Sequence, residues 1–345
     1  MRKSFLWLLT IILCIALLGT FSFIGCAQAT QFEWETKYGT FKLSEKIAQK
    51  VANGEKLIFR TSTWDPTAPF FKDVRDGMKQ AASDIGTDLI DVAMLGPVDG
   101  VVEKQVSELE TLIQVEQVDG LAISCGEADV MIPLFDLAWK RGIPVVTYDN
   151  DSPESKRLAY VGMNQSEVGK ASGNAFVKLH PQKEGKLAIF AAFPEAVYAR
   201  GRIKAFKEIL EQEGYNLEIV GPFKLGLDKA VGYSVVEDTF LANPDITAVY
   251  VTDEFVEVPA LYIERQNLQS DVLCLGVNTL PGVLEHVQKG TIDHTVGVNP
   301  YAQGYETMVV LYEFITTGKT TEEIKFVDLE IVTPENIEEY LSKSK

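Results

Sequence analysis

The chain has 345 residues, 46% of them hydrophobic and 23% charged, an ordinary globular composition that exceeds the roughly 100 to 200 residues of one typical core. Its formal charge of −17, from 32 Lys and Arg against 49 Asp and Glu, leaves nothing to neutralise phosphates and excludes a nucleic-acid partner. Only three histidines occur, and none neighbours a Ser or Cys in a nucleophile-like context.

The amino terminus, Met1-Arg2-Lys3 followed by an apolar run from Phe5 to Gly25, reads as a signal peptide over residues 1–25. Three outcomes fit it. Cleavage at the lipobox-like Phe23-Ile24-Gly25-Cys26 would leave Cys26 lipidated, and cleavage at Ala27-Gln28-Ala29 would release a soluble protein. Retention as an anchor is the third, because the 21 residues of the run reach the about 20 that a spanning helix needs. Each outcome exports the rest of the chain, to the periplasm or the outer face of the cell membrane.

Residues 26–54 read as a polar tether with one short helix, in which Leu43, Ile47 and Val51 form a stripe behind Ser44. After it, apolar strands alternate with helices of 3.6 periodicity, the signature of parallel sheets built from βαβ units. Strands are expected over residues 56–60, 88–93, 120–124, 143–148, 186–191, 217–221, 246–251, 272–277 and 294–298. Pro69 opens the first helix, Phe71, Val74, Met78 and Ala82 make its buried stripe, and Gly86 closes it. Later helices repeat the plan, with Val168, Ala171 and Ala175, then Ile203, Phe206 and Leu210, then Tyr301, Tyr305, Met308 and Tyr312.

Between them lies Gly142 to Asp151. Gly142 stops a helix, Ile143 to Tyr148 is a covered strand, and Asp149 and Asn150 stand at its carboxyl end, where open α/β sheets bind ligands. Taken alone, such a polar run also suits a turn or cap. Cys125 and Cys274 read as buried free thiols, and no metal-ligand spacing accompanies them. No strand is followed by Gly-x-Gly-x-x-Gly and no complete Gly-x-x-x-x-Gly-Lys-Ser/Thr loop is present, so dinucleotide and P-loop chemistry lack their fingerprints.

Several motifs occur in a definite order: Ala68-Pro69-Phe70-Phe71, Gly96-Pro97, Lys104-Gln105-Val106-Ser107, Val118-Asp119-Gly120-Leu121-Ala122-Ile123-Ser124, the stretch from Gly142 to Asp149, and Ser155-Lys156-Arg157-Leu158-Ala159-Tyr160-Val161-Gly162. Gly290-Thr291-Ile292-Asp293 then leads to Asn299-Pro300-Tyr301-Ala302-Gln303-Gly304-Tyr305. In this order, from about Lys56 to Thr333, the chain resembles the type I periplasmic-binding-protein family, specifically the ribose/galactose-like sugar-binding components of ABC importers. The resemblance implies an α/β fold of two Rossmann-like lobes with parallel sheets joined by three hinge crossovers. One lobe would hold residues 55–163 plus 298–328, the other 164–297 plus 329–345, with the ligand enclosed between them by hinge closure. It implies a solute-binding protein, not an enzyme, that needs no cofactor. Such a protein captures a small sugar or polyol and delivers it to an ABC permease and ATPase on separate chains, touching the membrane only through its N-terminal lipid or leader. The same fold also serves receptors that sense a sugar or furanosyl signal and dock to a chemoreceptor or histidine kinase, and the sequence leaves that reading open.

The resemblance carries over to particular residues. Asp149 matches the family's cleft Asp and Asn150 the residue after it, as acceptors and donors for sugar hydroxyls. Phe70 and Phe71 match paired aromatics that pack on a sugar ring, although Phe71 also lies on the core stripe. Arg200 matches an Arg at the start of a helix, with Arg202 as the competing register. Thr252 and Asp253 match a polar strand end, and Asn278 a position that is usually Asp. Val298 stands where a Gln bridges the lobes, and Asn299 beside it is a candidate to take over. Trp64, in the loop before the first helix, is either a further cleft residue or a structural loop Trp. Where the ribose pattern has an Arg this chain has Asn150, and Ala68 replaces a common polar residue. With Asn278 and Val298, these departures imply a differently shaped ligand.

Overall fold

The computed structural model describes residues 32–115, 118–318 and 323–343; the leader, with Cys26, lies outside them. What the sequence suggested was a loose tether is partly folded onto the protein. Glu33–Thr36 (β1) and Gly39–Lys42 (β2) pair as an antiparallel hairpin. Alternation along the two strands turns Trp34 and Phe41 to one face, where both are buried. Trp34 lies 4.5 Å from the Phe314 ring and Phe41 5.0 Å from the Trp139 ring, between centroids. Helix α1 (Glu45–Asn53) follows, its first turn capped by the Ser44 hydroxyl, which accepts from the Ile47 N–H. The Ser44 N–H donates to the Gly142 carbonyl at 3.0 Å, and Lys50 pairs with the buried Asp119 at 2.5 Å. Two apolar residues in a polar run gave no strand signal, because the surface they cover comes from distant parts of the chain.

Two six-stranded sheets follow. The first contains β3 (Leu57–Ser62), β4 (Ile90–Leu95), β5 (Gly120–Ile123), β6 (Val145–Tyr148), β7 (Ala159–Gly162) and β13 (Ile324–Phe326), in the order β4-β3-β5-β6-β7-β13 and parallel throughout. The second contains β8 (Glu184–Ala191), β9 (Asn216–Lys224), β10 (Ile246–Val251), β11 (Leu273–Val277), β12 (His294–Gly297) and β14 (Glu330–Val332), in the order β9-β8-β10-β11-β12-β14. Only β14 runs antiparallel to its neighbour. β7, β13 and β14 are additions to the expected strands: each has three or four residues, and the polar residues beside them hid any apolar run.

Each sheet carries helices on both faces. In the first lobe α2 (Pro69–Ile85) packs with α10 (Pro300–Thr317) on one side, and α3 (Val102–Gln114) with α4 (Ala128–Lys140) on the other. In the second, α5 (Gln165–Leu179) packs with α6 (Val197–Gln212), opposite α7 (Lys229–Ala242), α8 (Glu257–Gln266) and α9 (Pro281–Gln288). The α2–α10 contact explains why the expected tyrosine stripe is not the buried one. A Cβ on Gly304 would lie 1.9 Å from the Val74 carbonyl oxygen and one on Gly77 2.0 Å from that of Tyr301. The backbones therefore meet at the glycines, α10 buries Gln303, Gly304, Thr307, Met308 and Leu311, and Tyr301 is left 44% exposed.

The chain passes between the lobes at residues 163–164, 298–299 and 327–329. The first two passages leave from the carboxyl ends of β7 and β12. Since these strands run parallel to their sheet neighbours, the carboxyl edges of both sheets face the same junction. A continuous apolar cluster fills the first lobe and extends to Phe206, Tyr250 and Val298 in the second lobe and the crossover. A second cluster covers the far face of the second sheet.

Candidate functional site

In the first sheet the strand order reverses between β3 and β5, the place where doubly wound sheets open a crevice. Ser62, Thr63 and Trp64 leave β3 there, Ser124 leaves β5 and Asp149 leaves β6. Gln105 on α3, fully buried, holds this edge in place. Its amide donates to the Ser62 hydroxyl at 3.2 Å and the Ser124 carbonyl at 2.9 Å, and its oxygen accepts from the Gly126 N–H at 3.0 Å.

Asp149 adopts a left-handed φ of 55°. Its N–H donates to Val161, its carbonyl accepts from the Tyr160 hydroxyl at 2.9 Å, and its Oδ2 accepts from the Ser124 hydroxyl at 2.9 Å. Oδ1 receives no hydrogen bond from the described residues. Burial pushes the carboxyl up to about 6, against the pull of the Ser124 hydrogen bond and the positive charge of Arg202 in the other lobe. Asn150, partly buried, gives its carbonyl to the Cys125 N–H at 3.0 Å and keeps its side chain free of described partners.

Behind these groups stands an aromatic wall. Phe71 is fully buried and meets Trp64, Phe70 and Tyr148 edge-on, at centroid distances of 5.4, 5.1 and 6.4 Å. It is a core residue that braces its neighbours, whereas Phe70, in the first turn of α2, is 9% exposed. The Trp64 ring is partly buried, and its Nε1–H is enclosed without an acceptor among the described residues.

The second lobe presents a charged network. Asp253, after β10, accepts from the Ala192 N–H at 2.8 Å, the Phe255 N–H at 3.2 Å, and the Tyr198 and Thr252 hydroxyls at 3.3 Å. These donors close the switch point between β8 and β10 and cap the short 3-10 turn Glu254–Val256. Thr252 is fully buried. Thr252 and Asp253, expected from the sequence at a ligand, are thus both buried, and Asp253 is engaged by protein donors on each oxygen.

Arg200 requires correction. It is exposed, donates to the Glu195 carbonyl at 2.6 Å, and lines an open groove with Lys204 and Lys207 on the outside of α6. Two residues on, roughly 200° around a helix of 3.6 residues per turn, Arg202 points inward and is 5% exposed. Its Nε donates to Gln165 at 2.7 Å and its Nη1 to the Thr252 carbonyl. A Cβ on Gly169 would lie 2.2 Å from the Arg202 carbonyl oxygen, so this glycine sets the depth at which Arg202 sits.

Glu254, next to Asp253, was not among the expected site residues. It is partly buried; its carbonyl accepts from the Glu257 N–H, and its carboxylate receives no hydrogen bond from another described residue. Burial first, then the charge of Asp253, pushes its carboxyl up to about 7; Asp149 across the junction adds to the rise and Arg202 opposes it. A Thr-Asp-Glu run after a strand signals acids at the cleft, but the 3-10 turn decides which of them faces it.

Asn278, after β11, has φ 106°, and its Oδ1 accepts from the N–H groups of Thr279 at 2.7 Å and Leu280 at 3.1 Å. Its Nδ2 has no described acceptor, although the residue is only 4% exposed. Asn299, in the second crossover, uses its Oδ1 to cap α10 through the Ala302 N–H at 3.0 Å. Beside it, the Val298 carbonyl accepts from the buried Gln303 amide at 2.7 Å, a local bond that ties the crossover to α10. Cys125 and Cys274 are buried free thiols.

A family model described as a periplasmic binding protein domain matches residues 61–320. The ribose import binding protein RbsB of Bacillus subtilis is 26% identical over 232 residues, 67% of this chain and 73% of that protein. The D-allose-binding periplasmic protein of Escherichia coli is 23% identical over 284 residues, 77% of this chain and 88% of that one. Among solved structures, an ABC transporter solute-binding protein from Burkholderia graminis in complex with D-arabinose superposes with a TM-score of 0.76 at 26% identity, covering 82% of this chain and 97% of that one. GanP, a glucose-galactose binding protein from Geobacillus stearothermophilus, superposes with a TM-score of 0.75 at 24% identity, over 82% of this chain and 99% of its own, a likeness of fold.

Proposed function

The chain belongs to the periplasmic binding protein domain family, and from that premise we propose that it captures one small sugar or polyol between its lobes and delivers it to an ABC import permease. It is a binding component and not an enzyme. The observation that carries the ligand reading is a set of unspent hydrogen-bonding groups at the facing sheet edges. Asp149 Oδ1 is an open acceptor, Trp64 Nε1–H and Asn278 Nδ2–H are open donors, and the Asn150 side chain is free for either role. Phe70 and Trp64 add apolar surface of the kind that packs on the C–H face of a sugar ring. A site that pairs each ligand hydroxyl with a buried group rejects analogues that lack it, because the protein partner is then left unsatisfied.

The B. subtilis, E. coli and B. graminis relatives carry sugar names in their descriptions, and their likeness supports the same class here. In this reading the protein works outside the cytoplasm, delivered by its leader and held by a lipid on Cys26. Mass spectrometry of the membrane fraction for a diacylglyceryl adduct on Cys26 tests the anchor. For the ligand, a panel of monosaccharides and polyols is screened by thermal shift on the purified protein. One or a few of them raise the melting temperature, and Asp149→Ala removes the shift. A panel in which only amino acids or nucleosides stabilise the protein overturns the ligand class.

A further inference from the structure

The junction is short of positive charge. Asp149 comes from the first lobe, Asp253 and Glu254 from the second, and Arg202 is the cation whose charge acts on all of them. Tyr198, beside Asp253, adds only a hydroxyl, which donates to that carboxylate. Arg202 itself is spent on two neutral acceptors, the Gln165 side chain and the Thr252 carbonyl. Asn150, next to Asp149, brings no second cation. Asp253 is fully engaged by protein donors, so the acids left open are Asp149 through Oδ1 and Glu254 through its whole carboxylate.

Two carboxylates after β6 and β10, at the facing edges of the two sheets, repel one another, and a neutral sugar between them supplies only hydroxyls. An ammonium group supplies three donors and a positive charge in one atom, enough to bond both. We propose that the ligand enclosed here is an amino sugar or aminopolyol whose protonated amine sits between Asp149 and Glu254. This rests on the reading of the cleft as a sugar site and names the chemical class within it. A second feature points to the hydroxyls of the same ligand. Asn278, 4% exposed at the matching strand end of the other lobe, is bonded through Oδ1 and leaves Nδ2 without an acceptor among the described residues, and the enclosed Trp64 indole N–H also has none. The raised carboxyls agree: unliganded, both are held up by burial, and an ammonium entering the cleft drives their protons off.

The test uses isothermal titration of the purified protein with D-glucosamine, D-galactosamine and 1-amino-1-deoxypolyols, against D-glucose, D-galactose, N-acetyl-D-glucosamine and the parent polyols. At pH 7.5 the best amine binds at least about tenfold more tightly than its hydroxyl or N-acetyl counterpart. Glu254→Gln weakens the amine by at least about tenfold and removes that preference. Near pH 6.5, titrations in buffers of different ionisation enthalpy show protons released on binding of the amine. Neutral sugars that bind as tightly as the amines, with no proton release and an unchanged preference in Glu254→Gln, overturn the proposal and leave the sugar reading standing. If no member of either series binds, the sugar reading falls with it.

Discussion

The two lobes repeat one strand order and use equivalent places differently. The fourth strand of each sheet ends in a residue at positive φ, Asp149 in the first lobe and Asn278 in the second. Asp149 is tied by one hydroxyl on one oxygen, whereas Asn278 spends its oxygen on the N–H groups of Thr279 and Leu280 and keeps only its nitrogen. At the strand before it, the first lobe places Ser124, which orients Asp149, and the second places Asp253, which four protein donors consume. The first lobe backs its edge with packed aromatic rings, the second with a network around Arg202. In a duplicated fold, then, the groups available to a ligand are those whose hydrogen bonds the lobe does not need to hold itself together.

That contrast can be broken at several points, and the largest effect is expected at Phe71. Phe71→Ala costs about 3 to 5 kcal/mol in urea unfolding, because it empties the centre of the aromatic wall; a cost under about 1 kcal/mol means that the wall is not packed as described. Arg202→Ala follows at about 3 kcal/mol, since it leaves Asp253 and Glu254 buried without a cation and Gln165 without its donor. If the charged network is as central to the second lobe as the rings are to the first, both losses appear in unfolding without ligand. Asp149→Ala acts on the ligand instead. Sugar affinity falls about a hundredfold, close to 2.7 kcal/mol, while unliganded stability holds or rises slightly; a fall in unliganded stability would make Asp149 a structural cap.

The pH response is smaller and has a definite sign. Glu254, ordinarily at 4.5 and raised to about 7 in the folded protein, binds more protons folded than unfolded. It therefore contributes stability that is present below 4.5 and lost as pH rises through about 7. Thermal melts of the unliganded protein decline from pH 5 to pH 8, with Asp149, raised to about 6, acting in the same direction, and Glu254→Gln reduces that slope by roughly 1 to 2 kcal/mol over the range; an unchanged slope assigns it to other groups. The smallest effect is at Arg200, where Arg200→Ala alters stability and sugar affinity by less than about 0.5 kcal/mol. A large loss of affinity there restores the register that the structure rejects.

Much of the fold was legible because its cause is local. Strand and helix periods, the stops at Gly86 and Gly142 and the opening at Pro69 are set by backbone chemistry within a few residues, and they ordered the α/β alternation correctly. The candidate site was legible to the extent that open polar groups follow strand ends, as those of Asp149, Asn150 and Asn278 do. It failed where a turn chooses between adjacent side chains. Arg200 and Arg202 are both basic residues on one helix, and only the packing of α6 on α5 at Gly169 turns the second inward. Asp253 and Glu254 are both acids after β10, and the 3-10 turn that Asp253 caps leaves Glu254 as the open one.

The sequence by itself thus determined the order of the elements, the acidity of the chain and the strand ends where polar groups collect, since each depends on neighbours along the chain. Tertiary structure alone decided which of those groups remain unspent. A side chain's availability depends on every donor and acceptor that folding brings to it, and for Asp149, Arg202, Asp253 and Glu254 those partners come from other strands, other helices and, in part, the other lobe.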